Sequence, residues 1–198
     1  QMCIRDSPCS TEISNKAYPK KKEILYAGTV NARKGYADMI NAFAKVADRH
    51  RDWCIVFAGN GEIEEGKALA SHLGIDKQTV FLGWVRGGGK DKVFKEASIF
   101  CLPSYAEGFP MGVLDAWAYG LPVITTPVGG IPDIAKDGKN CLLFNPGDTN
   151  KLAEQMDKMM SSETLRIYIA KESSELAKGI FSVEEVTGRL ENIYRTLK

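Results

Sequence analysis

Ser104-Tyr-Ala-Glu-Gly-Phe-Pro-Met-Gly-Val-Leu-Asp-Ala-Trp-Ala-Tyr-Gly120 is the stretch whose reading decides the fold. It follows the apolar run Ile99-Phe-Cys-Leu102, which Pro103 ends, the mark of a buried strand. Residues 111–119 read as a helix, with Pro110 as its first residue and Gly120 and Pro122 stopping it. A strand, a small-residue turn and a helix with free N–H groups pointing outward make an anion site. Glu107 stands in the turn, and Asp115 follows on the helix, roughly 12 Å further along if the chain is helical throughout. Two acids flanking such a site suggest a ligand with hydroxyls on both sides of a phosphate, which describes a nucleotide sugar. Taken alone, the segment equally suits a helix with an acidic cap and one exposed acid.

Upstream, Ile24-Leu-Tyr-Ala27 reads as the first strand, entered from Lys20-Lys-Lys22, a solvated linker. From Gly35 the spacing becomes helical, with Met39, Ile40, Phe43, Ala44, Val46 and Ala47 on one broad face and His50 near its end. Residues 54–58 form the second strand, Gly59-Asn60-Gly61 its turn, and 62–73 a helix ending at Gly74. Val80-Phe-Leu82 is the third strand, 83–89 a loop, and 91–97 a short helix leading to the fourth strand. Downstream, 123–126 and 141–144 are the fifth and sixth strands, separated by the 127–130 loop and a short helix near 131–135. Helices over 149–160, 163–177 and 182–197 close the chain, the last two capped by Ser162 and Ser182. This alternation predicts an α/β fold, a doubly wound, mostly parallel Rossmann-like sheet of about six strands with C-terminal helices. Ligands collect at the carboxyl ends of such strands. Residues 1–17 lack periodicity and are set aside as a disordered or artefactual tail, leaving 18–198 as the domain.

The 198 residues leave room for one domain with a proper core, or two small ones. A net charge of +1 gives no reason to expect a nucleic-acid surface, and no apolar run approaches a membrane span. Five cysteines are an odd number, and no Cys-x-x-Cys pair occurs. Cys54, Cys101 and Cys141 lie in apolar runs, so buried free thiols in a reducing, cytoplasmic setting are expected.

The first strand runs into Gly28-Thr-Val-Asn-Ala-Arg33-Lys34-Gly35, where the glycines let the backbone approach a ligand. Cations at a helix start oppose its dipole, so an anionic ligand would explain Arg33 and Lys34. For that segment by itself, two solvated surface charges is the plainer account. Gly59-Asn60-Gly61 begins like a dinucleotide fingerprint, but Glu64 stands where the third glycine belongs. Gly89-Lys90 resembles the end of a phosphate loop, yet Trp84 and Asp91 break the pattern at both ends. His50 and His72 read as helix-end caps, and two histidines make a Ser-His-Asp triad improbable.

Taken together, these signatures resemble the C-terminal, donor-binding domain of retaining GT-B glycosyltransferases of the group 1 type, often called family 4. The resemblance runs over residues 23–197 and rests on an ordered series: the Gly28…Arg33-Lys34-Gly35 loop, the Gly59-Asn60-Gly61 turn, Val80-Phe-Leu-Gly83, Pro103-Ser104, Glu107-Gly-Phe-Pro110, Gly120-Leu-Pro-Val123, Gly129-Gly130 and Gly138…Phe144. It implies a nucleoside-diphosphate sugar as donor, with Arg33 and Lys34 on the diphosphate and Glu107 at the transferred sugar. Backbone N–H groups of Phe109, Met111 and Gly112, in the turn with Gly108, would face sugar hydroxyls and phosphate. Asp115 would take the ribose hydroxyls, and Trp84 and Val85 the base, beside Gly28 and Asn60. No metal is expected, because cationic side chains stand in for one and no Asp-x-Asp pair occurs.

Asp115 departs from the family's usual second Glu by one methylene, and Pro110 removes an N–H that could bind the ligand. The family's N-terminal acceptor domain is expected to lie outside this chain, which would then bind donor without efficient transfer. Through that domain, the parent enzyme would associate peripherally with a membrane during polysaccharide or glycolipid synthesis. A stand-alone nucleotide-sugar-binding module and a GT-B-type epimerase are the alternatives, the latter lacking a histidine near the site.

Overall fold

A computed structural model describes residues 20–179, 181 and 183–196. The tail expected over 1–17, and the ends of the last predicted helix at Ser182 and Leu197, lie outside the described residues. Six strands form one sheet: β1 (Glu23–Ala27), β2 (Cys54–Ala58), β3 (Thr79–Gly83), β4 (Ile99–Leu102), β5 (Val123–Thr125) and β6 (Leu142–Leu143). Their order is β3-β2-β1-β4-β5-β6, and every pairing is parallel. A parallel sheet is covered on both faces, which is why its central strands are continuous apolar runs. All four residues of β4 and all three of β5 are buried.

Among the described residues, seven helices accompany the sheet: α1 (Tyr36–Ala44), α2 (Ile63–His72), α3 (Gly88–Glu96), α4 (Met111–Ala118), α5 (Thr149–Ser161), α6 (Glu163–Lys178) and α7 (Val183–Thr196). In the cover, α5 packs on α1 and α6 on α4. The strand order reverses between β1 and β4, whose register pairs Ile24 with Ile99 and Leu25 with Phe100. The chains leaving these two strands part there, opening a crevice of the kind that holds ligands in doubly wound sheets.

Most predicted elements stand within two residues of their expected bounds, with informative exceptions. Helix α1 stops at Ala44, and Val46 and Ala47 reach the core from the following turn. Helix α3 begins at Gly88, inside the glycine run expected to be loop. Pro110 is the cap of α4 and not its first residue, because its ψ of 96° is extended. The expected helix near 131–135 is a single 3-10 turn, Ile131–Asp133. His50 does end a helical turn, capping Ala47–Arg49 through its N–H to Ala47 O, but its side chain reaches further: Nε2 lies 2.7 Å from Asp157 on α5, 107 residues away. Such a partner is invisible to local spacing.

Candidate functional site

The loop after β1 is shaped by backbone contacts that leave no room for side chains. A Cβ on Gly59 would lie 1.8 Å from the Gly28 carbonyl oxygen, so the turns after β1 and β2 stack main chain on main chain. Gly28 N–H donates to Ala58 O at 3.1 Å, and Val30 N–H to Asn60 O at 2.8 Å. Asn31 then caps a 3-10 turn, Ala32–Lys34, by accepting from Lys34 N–H. Gly35 ends the turn at φ +71°, where a Cβ would meet Pro103 O at 2.0 Å. Arg33 and Lys34 therefore occupy the end of a separate turn and not the start of α1. The dipole argument made from the sequence does not apply to them, since cations suit the end of a helical turn.

What tertiary structure supplies instead is convergence. Tyr105 N–H donates to Arg33 O at 2.8 Å, tying the β1 loop to the β4 loop. Across that tie, Lys34 Nζ lies 2.5 Å from Glu107 Oε1, and Ser104 Oγ donates to the same oxygen at 2.7 Å. Arg33 donates to Ala106 O at 2.7 Å, with its guanidinium 3.9 Å from Glu107 Oε2. The Glu107 and Lys34 side chains are 8% and 17% exposed, whereas Arg33 is 55% exposed.

Two glycines seat the turn that carries Glu107. A Cβ on Gly129, at φ +61°, would meet Gly108 O at 2.3 Å and Glu107 O at 2.5 Å. One on Gly130 would strike the Phe109 ring at 2.3 Å, and Gly130 N–H donates to Gly108 O at 2.8 Å. Phe109 is buried, its ring 5.6 Å from that of Phe181. In α4, Val113 N–H donates to Pro110 O at 2.9 Å, which leaves the Met111 and Gly112 N–H groups ahead of the ladder, as first-turn N–H groups are.

Beside this cluster lies a cavity of about 310 Å³ at the carboxyl ends of β1 and β2, closed by α3 and α4. Gly28, Trp84, Val85, Gly112 and Asp115 line it, five residues singled out from the sequence, together with Ala27, Ala58, Lys90 and Phe94. Trp84 is largely exposed at its mouth, with the Arg86 guanidinium 5.4 Å over the ring. Asn60 stays in the turn behind, its side-chain Oδ1 beside Gly83. Arg33, Lys34, Glu107, Gly108, Phe109 and Met111 are not among the lining residues and form the adjoining cluster.

Sequence reasoning missed Lys90 and Phe94. Lys90 Nζ pairs with Asp115 Oδ2 at 2.7 Å and lies 5.7 Å over the Phe94 ring. The motif test rightly rejected a phosphate loop but discarded the lysine with it. Its signal was the four-residue spacing of Lys90 and Phe94, which puts both on one face of α3. Phe94 in turn stacks on Tyr119 and Phe100, at 5.1 and 5.7 Å.

Beneath the site, burial and the nearby Glu107 hold the Tyr26 hydroxyl far above its ordinary pKa, and it donates to Thr29 O at 2.7 Å. Burial likewise raises the Cys101 thiol, so neither group is a nucleophile near neutral pH. Cys54, Cys101 and Cys141 are free thiols; Cys101 and Cys141 are buried as expected, whereas Cys54 is only half-buried. Among the described residues, no helix is long and apolar enough to cross a membrane.

Comparison with known proteins sets this geometry in context. The family model described as glycosyl transferases group 1 matches residues 11–176. An uncharacterized glycosyltransferase of Methanocaldococcus jannaschii, MJ1607, is 30% identical over 176 residues, which are 88% of this chain and 45% of that protein. The C-terminal domain of the group 1 glycosyl transferase LpcC from Francisella tularensis superposes with a TM-score of 0.75 at 25% identity, covering 89% of this chain and 96% of that one. Anabaena Alr3699/HepE, solved in complex with UDP, superposes with a TM-score of 0.81 at 20% identity over 89% of this chain and 49% of its own. The chain spans about half the length of the curated relatives it matches.

Proposed function

The chain belongs to the group 1 glycosyl transferase family, with the Rossmann-like fold of a GT-B half, and we propose that it grips the nucleoside diphosphate of a sugar donor. In this reading the cavity takes base and ribose, with Trp84 and Val85 at the base and Asp115 at the ribose. Arg33 and Lys34 neutralise the diphosphate, helped by the first-turn N–H groups of α4, and Glu107 faces the transferred sugar. The observation that carries the reading is the meeting of Gly28, Trp84, Val85, Gly112 and Asp115 around one cavity at the carboxyl ends of β1 and β2, beside the point where the strand order reverses. The Anabaena protein solved with UDP lends support through its shared fold.

Chemically, the cluster is suited to stabilising a departing diphosphate. Charge on the leaving group grows as the glycosidic bond breaks, and preorganised cations and N–H groups are most effective where charge develops. We propose that the parent enzyme transfers its sugar with retention to an acceptor held largely outside this chain, in polysaccharide or glycolipid synthesis. Its relatives are about twice as long, and positioning both reactants supplies roughly 7–11 kcal/mol of barrier reduction. The 198-residue chain should then bind UDP or GDP and transfer sugar negligibly.

Calorimetry with UDP and GDP tests the site. Replacing Arg33 and Lys34 together by Ala is expected to abolish binding of whichever nucleotide the unmodified chain takes. Unchanged affinity in that double variant would overturn the assignment. Robust sugar transfer by the chain alone would overturn the division of labour.

A further inference from the structure

We infer that Lys90 is a positioning residue of the nucleotide site, holding the Asp115 carboxylate so that its second oxygen faces a ribose hydroxyl. The inference rests on the nucleotide reading above and assigns a residue that the reading leaves without a role. Lys90 Nζ and Asp115 Oδ2 meet at 2.7 Å across two helices, and both residues line the same cavity. Lys90 stands in the first turn of α3, and Asp115 in the C-terminal half of α4. Each charge sits where its own helix dipole disfavours it, so helix stability explains neither. The neighbouring contacts hold the two helices in register. Asp91 accepts a hydrogen bond from the Tyr119 hydroxyl at the end of α4, and Phe94 stacks on the same ring.

The chemistry of the cavity points to the ribose. Ala27, Ala58, Val85 and Phe94 offer apolar walls, and Asp115 is the one carboxylate among the lining residues. A carboxylate accepts from vicinal hydroxyls, but an unrestrained one can turn either oxygen away. With Oδ2 held by the ammonium, Oδ1 is fixed as a free acceptor at the cavity wall. A 2′-hydroxyl at that point donates to an acceptor that is already oriented. Its removal leaves the oriented oxygen without the hydroxyl it would accept from, so the held carboxylate discriminates ribose from 2′-deoxyribose.

The test is calorimetry of the 198-residue chain with UDP, GDP and their 2′-deoxy counterparts, using variants matched by thermal unfolding. K90M is expected to lower affinity for the preferred ribonucleotide about tenfold, the loss of one charge-assisted hydrogen bond. It should also bring the ratio of ribo to deoxy affinity close to one. K90R should recover part of both, and K90M/D115N should bind no more weakly than D115N alone, since Lys90 acts through Asp115. An unchanged affinity and ratio in K90M would overturn the inference. Equal losses for ribo and deoxy ligands would also overturn it, leaving Lys90 a structural or phosphate-contacting role. Failure of the unmodified chain to bind either ribonucleotide would overturn the nucleotide reading itself, and this inference with it.

Discussion

Both ends of the candidate site are built from a lysine and an acid, yet the two pairs differ in how they are held. Lys34 and Glu107 are enclosed, and Ser104 Oγ shares the carboxylate oxygen that Lys34 contacts. The Gly129-Gly130 seat presses on the backbone beneath them. Lys90 and Asp115 pair across two helices at a cavity wall, with the lysine 42% exposed. A pair sheltered from water is rigid and costly to break, because either partner alone is an uncompensated buried charge. A pair in contact with solvent contributes little to stability and can exchange partners with a ligand. The enclosed end is thus suited to presenting a fixed geometry, and the open end to adjusting around an incoming nucleotide.

The sharpest way to break this comparison is to truncate each acid. Glu107→Ala leaves the part-buried Lys34 without its carboxylate and is expected to cost about 3 kcal/mol in urea unfolding. Asp115→Ala should cost less than about 1 kcal/mol. Equal losses would show that the enclosure of the first pair has no energetic consequence.

A somewhat smaller effect tests the seat beneath Glu107. Gly129→Ala combines a left-handed backbone with a Cβ 2.3 Å from Gly108 O, and should cost about 2–3 kcal/mol and weaken nucleotide binding. Gly138→Ala is the control, because it has φ +72° but nothing within 4 Å of the added carbon. Its cost should be the backbone strain alone, about 1–2 kcal/mol, with nucleotide affinity unchanged.

The smallest effect lies far from the site, in an acid whose role is architectural. Hydrogen bonding from His50, and then from Arg49, holds the Asp157 pKa below its ordinary value. A depressed folded pKa contributes stability above the unfolded value of about 3.9 and loses it as pH falls through the folded one. Asp157→Asn should therefore be less stable near neutral pH by under about 1 kcal/mol, given its exposure to solvent. The gap to the unmodified chain should close in acid below about pH 4. Nucleotide affinity at pH 7 should not change.

Much of the fold was legible because its determinants are local. The apolar run Ile99-Phe-Cys-Leu102 and its stop at Pro103 give a buried strand wherever they occur. Gly35 and Gly129 fit turns that need positive φ. The candidate site was legible as a set of residues but not as an arrangement. Motif spacing hides the role of Lys90, because its partner is set by how α3 lies on α4. In the sequence Arg33 and Lys34 stand out for a dipole effect that their own turn removes, and their convergence on Glu107 takes its place.

The sequence by itself determined which segments are strands and helices, where the chain must turn, and the order in which they alternate. It also marked most of the side chains that meet at the site. Tertiary structure alone decided which charges pair. Lys34 reaches Glu107 across 73 residues only because β1 lies beside β4, placing the two loops against each other. The physical reason is one of range. Backbone preference and hydrophobic period act over a few residues, whereas an ion pair depends on a distance in space that only the packed sheet sets.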